Sequence, residues 1–345
     1  MHSNYKTINN HGGDLKEAEE LFGCPEEGWL DLSTGVNLKA YPNIELTNLA
    51  LQMLPQNQQM DLLLSAARNF YKVPADLGIV AAPGSQAFIQ FIPTLFSKRN
   101  VTIVGPTYAE HKRNWLECGH TVSIVDSLEN IKKSEIIVIV NPNNPNGKII
   151  PYNKLLCLAN EKLAKNGLLV IDEAFADVDS RISVISHLTN TSTVVLRSFG
   201  KFFGLPGLRL GFAISTPSVV DQLAKTLGPW AVSGPAIEIG TRALKDYKWI
   251  SETQIQLIER RKYFDSIIQN GGLKIIGGTN LFRLIEFEHA QKLFCHLGKL
   301  GIFVRKFPEK ENWLRLGVPN SKNDFNRFEK AFIFALSELQ DRIYA

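Results

Sequence analysis

The sequence predicts an α/β protein: a mostly parallel sheet with helices on both faces, joined to a smaller α+β domain. Three observations predict it. From about residue 77, short β-branched runs alternate with helical patterns, as strand–helix–strand units do. Those runs are apolar throughout, as strands covered on both faces are. After about residue 240 the pattern changes to long helices and closely spaced strands.

Taken in order, Gly78–Ala82 reads as a strand ending at Pro83-Gly84-Ser85, and Gln86–Phe96 as a helix with a proline inside it. Val101–Val104 is the next strand, followed by Pro106-Thr107-Tyr108 and a helix to Cys118. Thr121–Val125, Ile136–Val140 and Leu168–Ile171 are further strands. Pro151–Lys165 has helical spacing, with Pro151 at a suitable first position. Thr193–Leu196 and Leu210–Ile214 complete the sheet. Beyond it come a helix (Ser251–Gln269), strands (Leu273–Ile276 and Leu281–Phe287), a helix (Ala290–Leu300), strands around Ile302–Arg305 and Trp313–Gly317, and a closing helix (Asn323–Leu339). The first 40 residues show no pattern of their own and are expected to join this later unit. The expected domains are therefore 41–245, and 1–40 together with 246–345.

Composition narrows the function classes. The chain has 345 residues, 44% hydrophobic and 21% charged, which excludes a disordered or fibrous protein. A formal charge of +4, spread along the chain, suits a small anionic ligand better than a nucleic acid. Cys24, Cys118, Cys157 and Cys295 form no C-x-x-C pair and read as buried small apolar residues in a reducing compartment. His111, His120, His187, His289 and His296 have no mutual spacing of metal ligands, so no metal is expected. The amino terminus has no apolar signal core and no run is long enough for a membrane span, so a cytoplasmic protein without a membrane partner is expected.

In an open α/β sheet, ligands gather at the carboxyl ends of the strands. The polar clusters fall there: Gly84-Ser85-Gln86, Tyr108, Asn141–Gly147, Asp172–Phe175 and Ser198–Lys201. The segment from Arg197 to Gly211 sets Ser198, Lys201 and Arg209 among glycines and aromatics. A lysine desolvated in such surroundings becomes a nucleophilic amine able to form a Schiff base. Ser198 and Arg209 are a donor and a cation suited to a phosphate. Asp172, single at the tip of an apolar strand, suits a ring nitrogen, and Gly84-Ser85-Gln86 opens a helix whose free N–H groups favour an anion. Together these make a set for pyridoxal 5′-phosphate (PLP). Singly, each has an ordinary structural reading: Glu173 reads as a helix-start or solvent-facing residue, Tyr108 and the tryptophans as packing residues. Trp230, in Gly228-Pro229-Trp230, is placed near the pocket.

The ordered series Gly84-Ser85, Tyr108, Asn144-Pro145, Asp172, Ser198-x-x-Lys201 and Arg209 resembles the fold-type I, class I/II aminotransferases over nearly the whole chain. The resemblance implies the PLP-dependent transferase fold and a set of roles. Lys201 would carry the cofactor and move the proton, Asp172 would pair with the ring nitrogen, and Tyr108 would stack on the ring. Asn144 would donate to the ring's phenolic oxygen. Gly84, Ser85, Gln86, Ser198 and Arg209 would grip the cofactor phosphate, and Arg315 would take the substrate carboxylate. Within the family, Asn10-His11-Gly12-Gly13-Asp14, Asp31 to Asn37, Gly105 to His111 and Gly228 to Pro235 resemble the L-threonine O-3-phosphate decarboxylases of cobalamin biosynthesis. That likeness implies that His11 and Arg305 bind a substrate phosphate and that Asn37 and Asn144 line the substrate pocket. Phe175 replaces the tyrosine usual in transaminases, as in those decarboxylases. A Tyr-Pro pair usual in relatives is replaced by Met53-Leu54-Pro55-Gln56, without its tyrosine. The resemblance further implies a homodimer and a phosphorylated amino acid as small-molecule substrate. Competing readings are an aminotransferase of a compound such as histidinol phosphate, a cofactor-binding regulator, for whose DNA-binding module the chain has no spare length, and an S-x-x-K acyl enzyme. The last leaves Asp172 and Arg209 unexplained.

Overall fold

A computed structural model describes residues 12–189 and 191–341. In chain order, its elements begin with α1 (Leu15–Phe22), β1 (Leu30–Asp31), α2 (Asn48–Gln52), α3 (Asn57–Tyr71), β2 (Gly78–Ala82), α4 (Ser85–Phe91), β3 (Asn100–Val104) and α5 (Ala109–Glu117). Then come β4 (Thr121–Val125), β5 (Ile136–Val140), α6 (Tyr152–Ala164), β6 (Leu168–Asp172), β7 (Thr193–Ser198), α7 (Phe199–Phe202), β8 (Gly211–Ser215), α8 (Pro217–Leu227) and α9 (Gly234–Lys245). The chain closes with α10 (Tyr247–Asn270), β9 (Lys274–Gly278), β10 (Phe282–Glu286), α11 (Ala290–Lys299), β11 (Ile302–Phe303), β12 (Arg305–Lys306), β13 (Trp313–Gly317) and α12 (Lys322–Asp341). These residues form two compact units, Lys39–Gln254 and the described part of Met1–Leu38 with Ile255–Ala345.

The larger unit holds a seven-stranded sheet in the order β2-β8-β7-β6-β5-β3-β4. β8 runs antiparallel to both neighbours and the other pairs are parallel. β5 and β6 are buried at every position because they are apolar on both faces and helices cover both. The core joins Phe88, Ile103, Trp115, Val138, Val170 and Leu196. The helix expected over Gln86–Phe96 stops at Phe91 and continues as a 3₁₀ turn, Ile92–Leu95. Pro93 has no N–H to continue the α pattern.

The smaller unit has an antiparallel sheet in the order β12-β13-β10-β9 and a parallel pair of β1 with β11. The strand expected over Ile302–Arg305 is split at Val304 between these two sheets. Leu32, Phe264, Leu293, Leu297, Phe328 and Phe332 form its core. Helix α1 arises where no pattern was expected. The Asp14 carboxylate accepts the N–H groups of Lys16 and Glu17 at 3.1 and 3.2 Å, satisfying donors that a helix start leaves open.

The cysteines differ from expectation: all four are free and exposed. On α6 the buried positions are Leu155, Ala159 and Lys162, a stripe that helical phase denies to Cys157. On α11 the stripe runs through Leu293, Phe294 and Leu297, beside Cys295 rather than through it.

Candidate functional site

In the larger unit, Asp172 ends β6 and is 3% exposed. Its backbone carbonyl accepts the Asn141 N–H at 2.8 Å, fixing the strand end against the loop that follows β5. Its Oδ1 accepts the Ala174 N–H at 3.0 Å, and its Oδ2 lies 3.0 Å from Nε2 of His111, which is fully buried. Sequence reasoning missed His111. Its signals are its place at the end of the Gly105–His111 segment and one helical turn beyond Tyr108, which starts α5 and meets the imidazole edge-on at 6.2 Å.

The Tyr108 hydroxyl donates to Oε1 of Gln86 at 3.1 Å, and Gln86 Nε2 donates to Oε2 of Glu110 at 3.2 Å. The Gln86 side chain is thus committed to aiming Tyr108, which leaves its backbone N–H for an anion.

Gly84, Ser85, Ser198 and Arg209 meet at one corner. A Cβ on Gly84, whose φ is +85°, would lie 2.8 Å from Arg209 Nη2. A Cβ on Gly211, which pairs with Ser198 across β7 and β8, would lie 2.3 Å from the Ser85 nitrogen. Only glycine permits both approaches, and they bring a guanidinium to the start of α4. Arg209 is anchored by donating Nη1 to the Pro206 carbonyl at 3.0 Å.

Lys201 is half-buried on α7, its Nζ 5.7 Å from the centre of the Phe175 ring, on a helix whose Phe199 and Phe202 are buried. Asn144 is half-buried in the loop that leaves β5. That loop is braced by Asn143 Nδ2, which donates to Pro106 O and to Asn146 Oδ1, both at 2.9 Å. Thr107 Oγ1 and Asn143 Oδ1, in the loops bearing Tyr108 and Asn144, are buried with no hydrogen-bond partner among the described residues. A bound polar group would satisfy them. The residues present therefore fit a phosphorylated ring compound.

Glu173 contradicts its expected solvent-facing role. It is 1% exposed and accepts Arg197 Nη1 at 2.6 Å, the Ser183 hydroxyl at 2.6 Å and the Val184 N–H at 2.8 Å. A residue just past a strand tip faces away from its predecessor, and here the far side is buried. Trp230, placed near the pocket by its sequence context, is 59% exposed.

The smaller unit carries the remaining described candidates. Arg315 is buried, donates Nη2 to the Ser33 carbonyl at 2.8 Å and lies over the Phe282 ring. Arg305 stands directly opposite it across β12 and β13. Directly opposed like charges repel. Burial, with Arg305 adding to it and Asp31 opposing, pushes the Arg315 pKa down to about 9. Two guanidiniums held in this way suit an anion chemically. Lys306 takes the other face of β12, its Nζ over the Phe294 ring at 4.8 Å, so Arg305 is the cation on the Arg315 side. Asn37 is 2% exposed, and its Oδ1 lies 3.5 Å from Arg260 Nη1, which also donates to Asn320 at 2.6 Å. His11 lies outside the described residues. Among the described residues no group of three His, Cys, Asp or Glu could hold a metal, and no helix is long and apolar enough to cross a membrane.

Residues 36–327 match the family model described as aminotransferase class I and II. The chain is 40% identical over 319 residues to a threonine-phosphate decarboxylase from Sinorhizobium sp, covering 91% of this chain and 95% of that one. It is 32% identical to a threonine-phosphate decarboxylase of Pseudomonas aeruginosa, covering 94% and 97%. Its fold is similar to that of histidinol-phosphate aminotransferase from Sinorhizobium meliloti in complex with pyridoxal-5′-phosphate. That match has a TM-score of 0.79 and 18% identity, and it covers 98% of this chain and 99% of that one.

Proposed function

The chain belongs to the aminotransferase class I and II family, and we propose that within it this protein is a PLP-dependent L-threonine O-3-phosphate decarboxylase. It releases carbon dioxide and (R)-1-aminopropan-2-yl phosphate, a step of cobalamin biosynthesis. The observation that carries this reading is the identity to threonine-phosphate decarboxylases across nine-tenths of the chain. The opposed Arg305–Arg315 pair agrees with it, because the substrate carries both a carboxylate and a phosphate.

When bound, PLP supplies an electron sink for the pair left as a bond to Cα breaks. The protein's residues do the rest. Lys201 would hold the cofactor through its amine and would carry the proton delivered to Cα. Asp172, aimed by His111 and the Ala174 N–H, pairs with the ring nitrogen. Tyr108, aimed by Gln86 and Glu110, covers the ring, and Asn144 donates to its phenolic oxygen. Arg209, Ser198 and the backbone of Gly84, Ser85 and Gln86 take the cofactor phosphate. Arg315 takes the substrate carboxylate, Arg305 and His11 its phosphate, and Asn37 lines the pocket. The outcome depends on how the substrate is oriented, so the residues that would hold its carboxylate and its phosphate would together set decarboxylation against transamination.

The test is to incubate PLP-loaded protein with L-threonine O-3-phosphate and no 2-oxo acid, and to look for 1-aminopropan-2-yl phosphate by mass spectrometry. Catalytic product that disappears in Lys201→Ala is expected. No product, with turnover of histidinol phosphate and 2-oxoglutarate instead, would overturn the decarboxylase in favour of an aminotransferase. The reading includes a homodimer. The segment 44–54 exposes Ile44, Leu46, Leu49, Leu51, Met53 and Leu54, a run a second copy would cover. Sedimentation of the wild type against Leu51→Asp tests it, and a monomeric wild type would refute it.

A further inference from the structure

Glu173, Asp177 and Arg197 form a buried ionic cluster that none of the roles above uses. Arg197 is 3% exposed, donates Nη1 to Glu173 at 2.6 Å and Nη2 to Asp177, and has the Tyr71 ring 4.6 Å from its guanidinium carbon. Ser183 and Val184 donate to Glu173, and Gln254 donates to the Asp177 carbonyl at 2.9 Å.

The placement is specific. Glu173 follows Asp172, and Arg197 precedes Ser198, three residues before Lys201. Asp172 is registered with Leu196, and the Glu173 N–H donates to the Leu196 carbonyl at 2.9 Å. There the ladder ends. Alternation then sends Asp172 and Ser198 to one side and Glu173 and Arg197 to the other. The ion pair thus lies one residue from each strand tip that bears site residues, on the reverse face, where backbone pairing stops.

As a device for stability the cluster is poor. It sets two carboxylates against one cation away from water, and the cost of burying three charges offsets most of their attraction. Burial pushes the carboxyls of Glu173 and Asp177 up against the pull of Arg197. Burial also opposes the Arg197 charge, yet the two carboxylates hold its pKa above the ordinary value. Apolar side chains of equal volume would hold the fold as well. What they would not supply is a directed, two-pronged tie of fixed length.

We propose that Arg197 is a positioning residue, which ties the tip of β6 to the tip of β7 so that Asp172, Ser198 and Lys201 keep one spacing toward the cofactor. The inference rests on the PLP site proposed above.

Two changes test it: Arg197→Lys, which keeps the cation but loses the fork, and the triple Arg197→Met, Glu173→Gln, Asp177→Asn, which removes all three charged groups together. Three quantities are read: thermal unfolding of the apoprotein, the PLP dissociation constant, and the pH midpoint of the bound cofactor's visible band. Both variants are expected to fold, to bind PLP at least about tenfold more weakly, and to move the midpoint by about half a pH unit or more. A folded variant with PLP affinity within twofold of wild type and an unmoved midpoint would overturn the inference. So would failure of both to fold, which would assign the cluster to the fold alone. A wild type without a Lys201-dependent PLP band would instead remove the site reading itself, and the inference with it.

Discussion

Replacing His111 by phenylalanine probes a contact for which no role was assigned from sequence. The Nε2–Oδ2 contact of 3.0 Å joins side chains that are 1% and 4% exposed, so water cannot substitute for the imidazole. Phenylalanine keeps a ring beside Tyr108 and removes only the polar link. A hydrogen bond to a charged group is worth about 1.5–3 kcal/mol, and about 1.4 kcal/mol is a factor of ten in an equilibrium constant. Asp172 retains the Ala174 N–H, so the carboxylate keeps one anchor and loses its aim. The PLP dissociation constant should rise roughly 10- to 100-fold. Decarboxylation by the loaded enzyme should fall with it, and His111→Gln, which restores a donor, should recover part of the loss. The assay is a spectrophotometric titration of apoprotein with PLP, alongside unfolding followed by circular dichroism. A folded phenylalanine variant that binds PLP within threefold of wild type would refute the reasoning, because Asp172 would then need no help from His111.

Arg315→Met should raise the melting temperature of the apoprotein and reduce the rise that added phosphate gives the wild type, the remainder coming from the Arg209 corner. The folded-state pKa of about 9 lies below the ordinary arginine value, so the unfolded chain binds more protons above pH 9. This group's contribution therefore improves as pH climbs from 9, and below that its buried charge is a standing cost that an anion offsets. For Asp177 the sign is opposite to that of a depressed carboxylate. Its pKa is raised by burial, so its stability contribution is present below the ordinary carboxylate range and lost as pH rises through the folded value. Denaturant unfolding of Asp177→Asn should therefore compare better with wild type at pH 7 than at pH 4, and parallel profiles would contradict this. Gly211→Ala should cost about 1–3 kcal/mol by overpacking and weaken PLP binding, because its Cβ meets backbone at the start of α4. Unchanged calorimetric and titration curves would count against the close approach.

Much of the larger unit was legible because its strands are uninterrupted β-branched runs, and Ile136–Val140 is buried at every position as its composition demands. Asp172, Ser198 and Lys201 could be picked out as candidates for a related reason: polar residues stand out where an apolar strand stops. His111 did not stand out. It reaches Asp172 across 61 residues of sequence, and the approach of its side chain to the tip of β6 is a tertiary fact. Glu173 was misjudged because a strand tip has two sides, and only the fold shows that Arg197 and Asp177 fill the second. Helix α1 is short, and its start depends on Asp14, a side-chain cap. The exposed cysteines show the same limit, since residue type does not set helical phase.

Those four thiols also have a practical use. Cys24 and Cys295 belong to the smaller unit, and Cys118 and Cys157 to the larger. Removing one from each unit leaves a native pair of exposed attachment points, one per unit. Spin labels or fluorophores coupled to Cys157 and Cys295 would then report the distance between the units in solution, with and without substrate, with no new cysteine introduced.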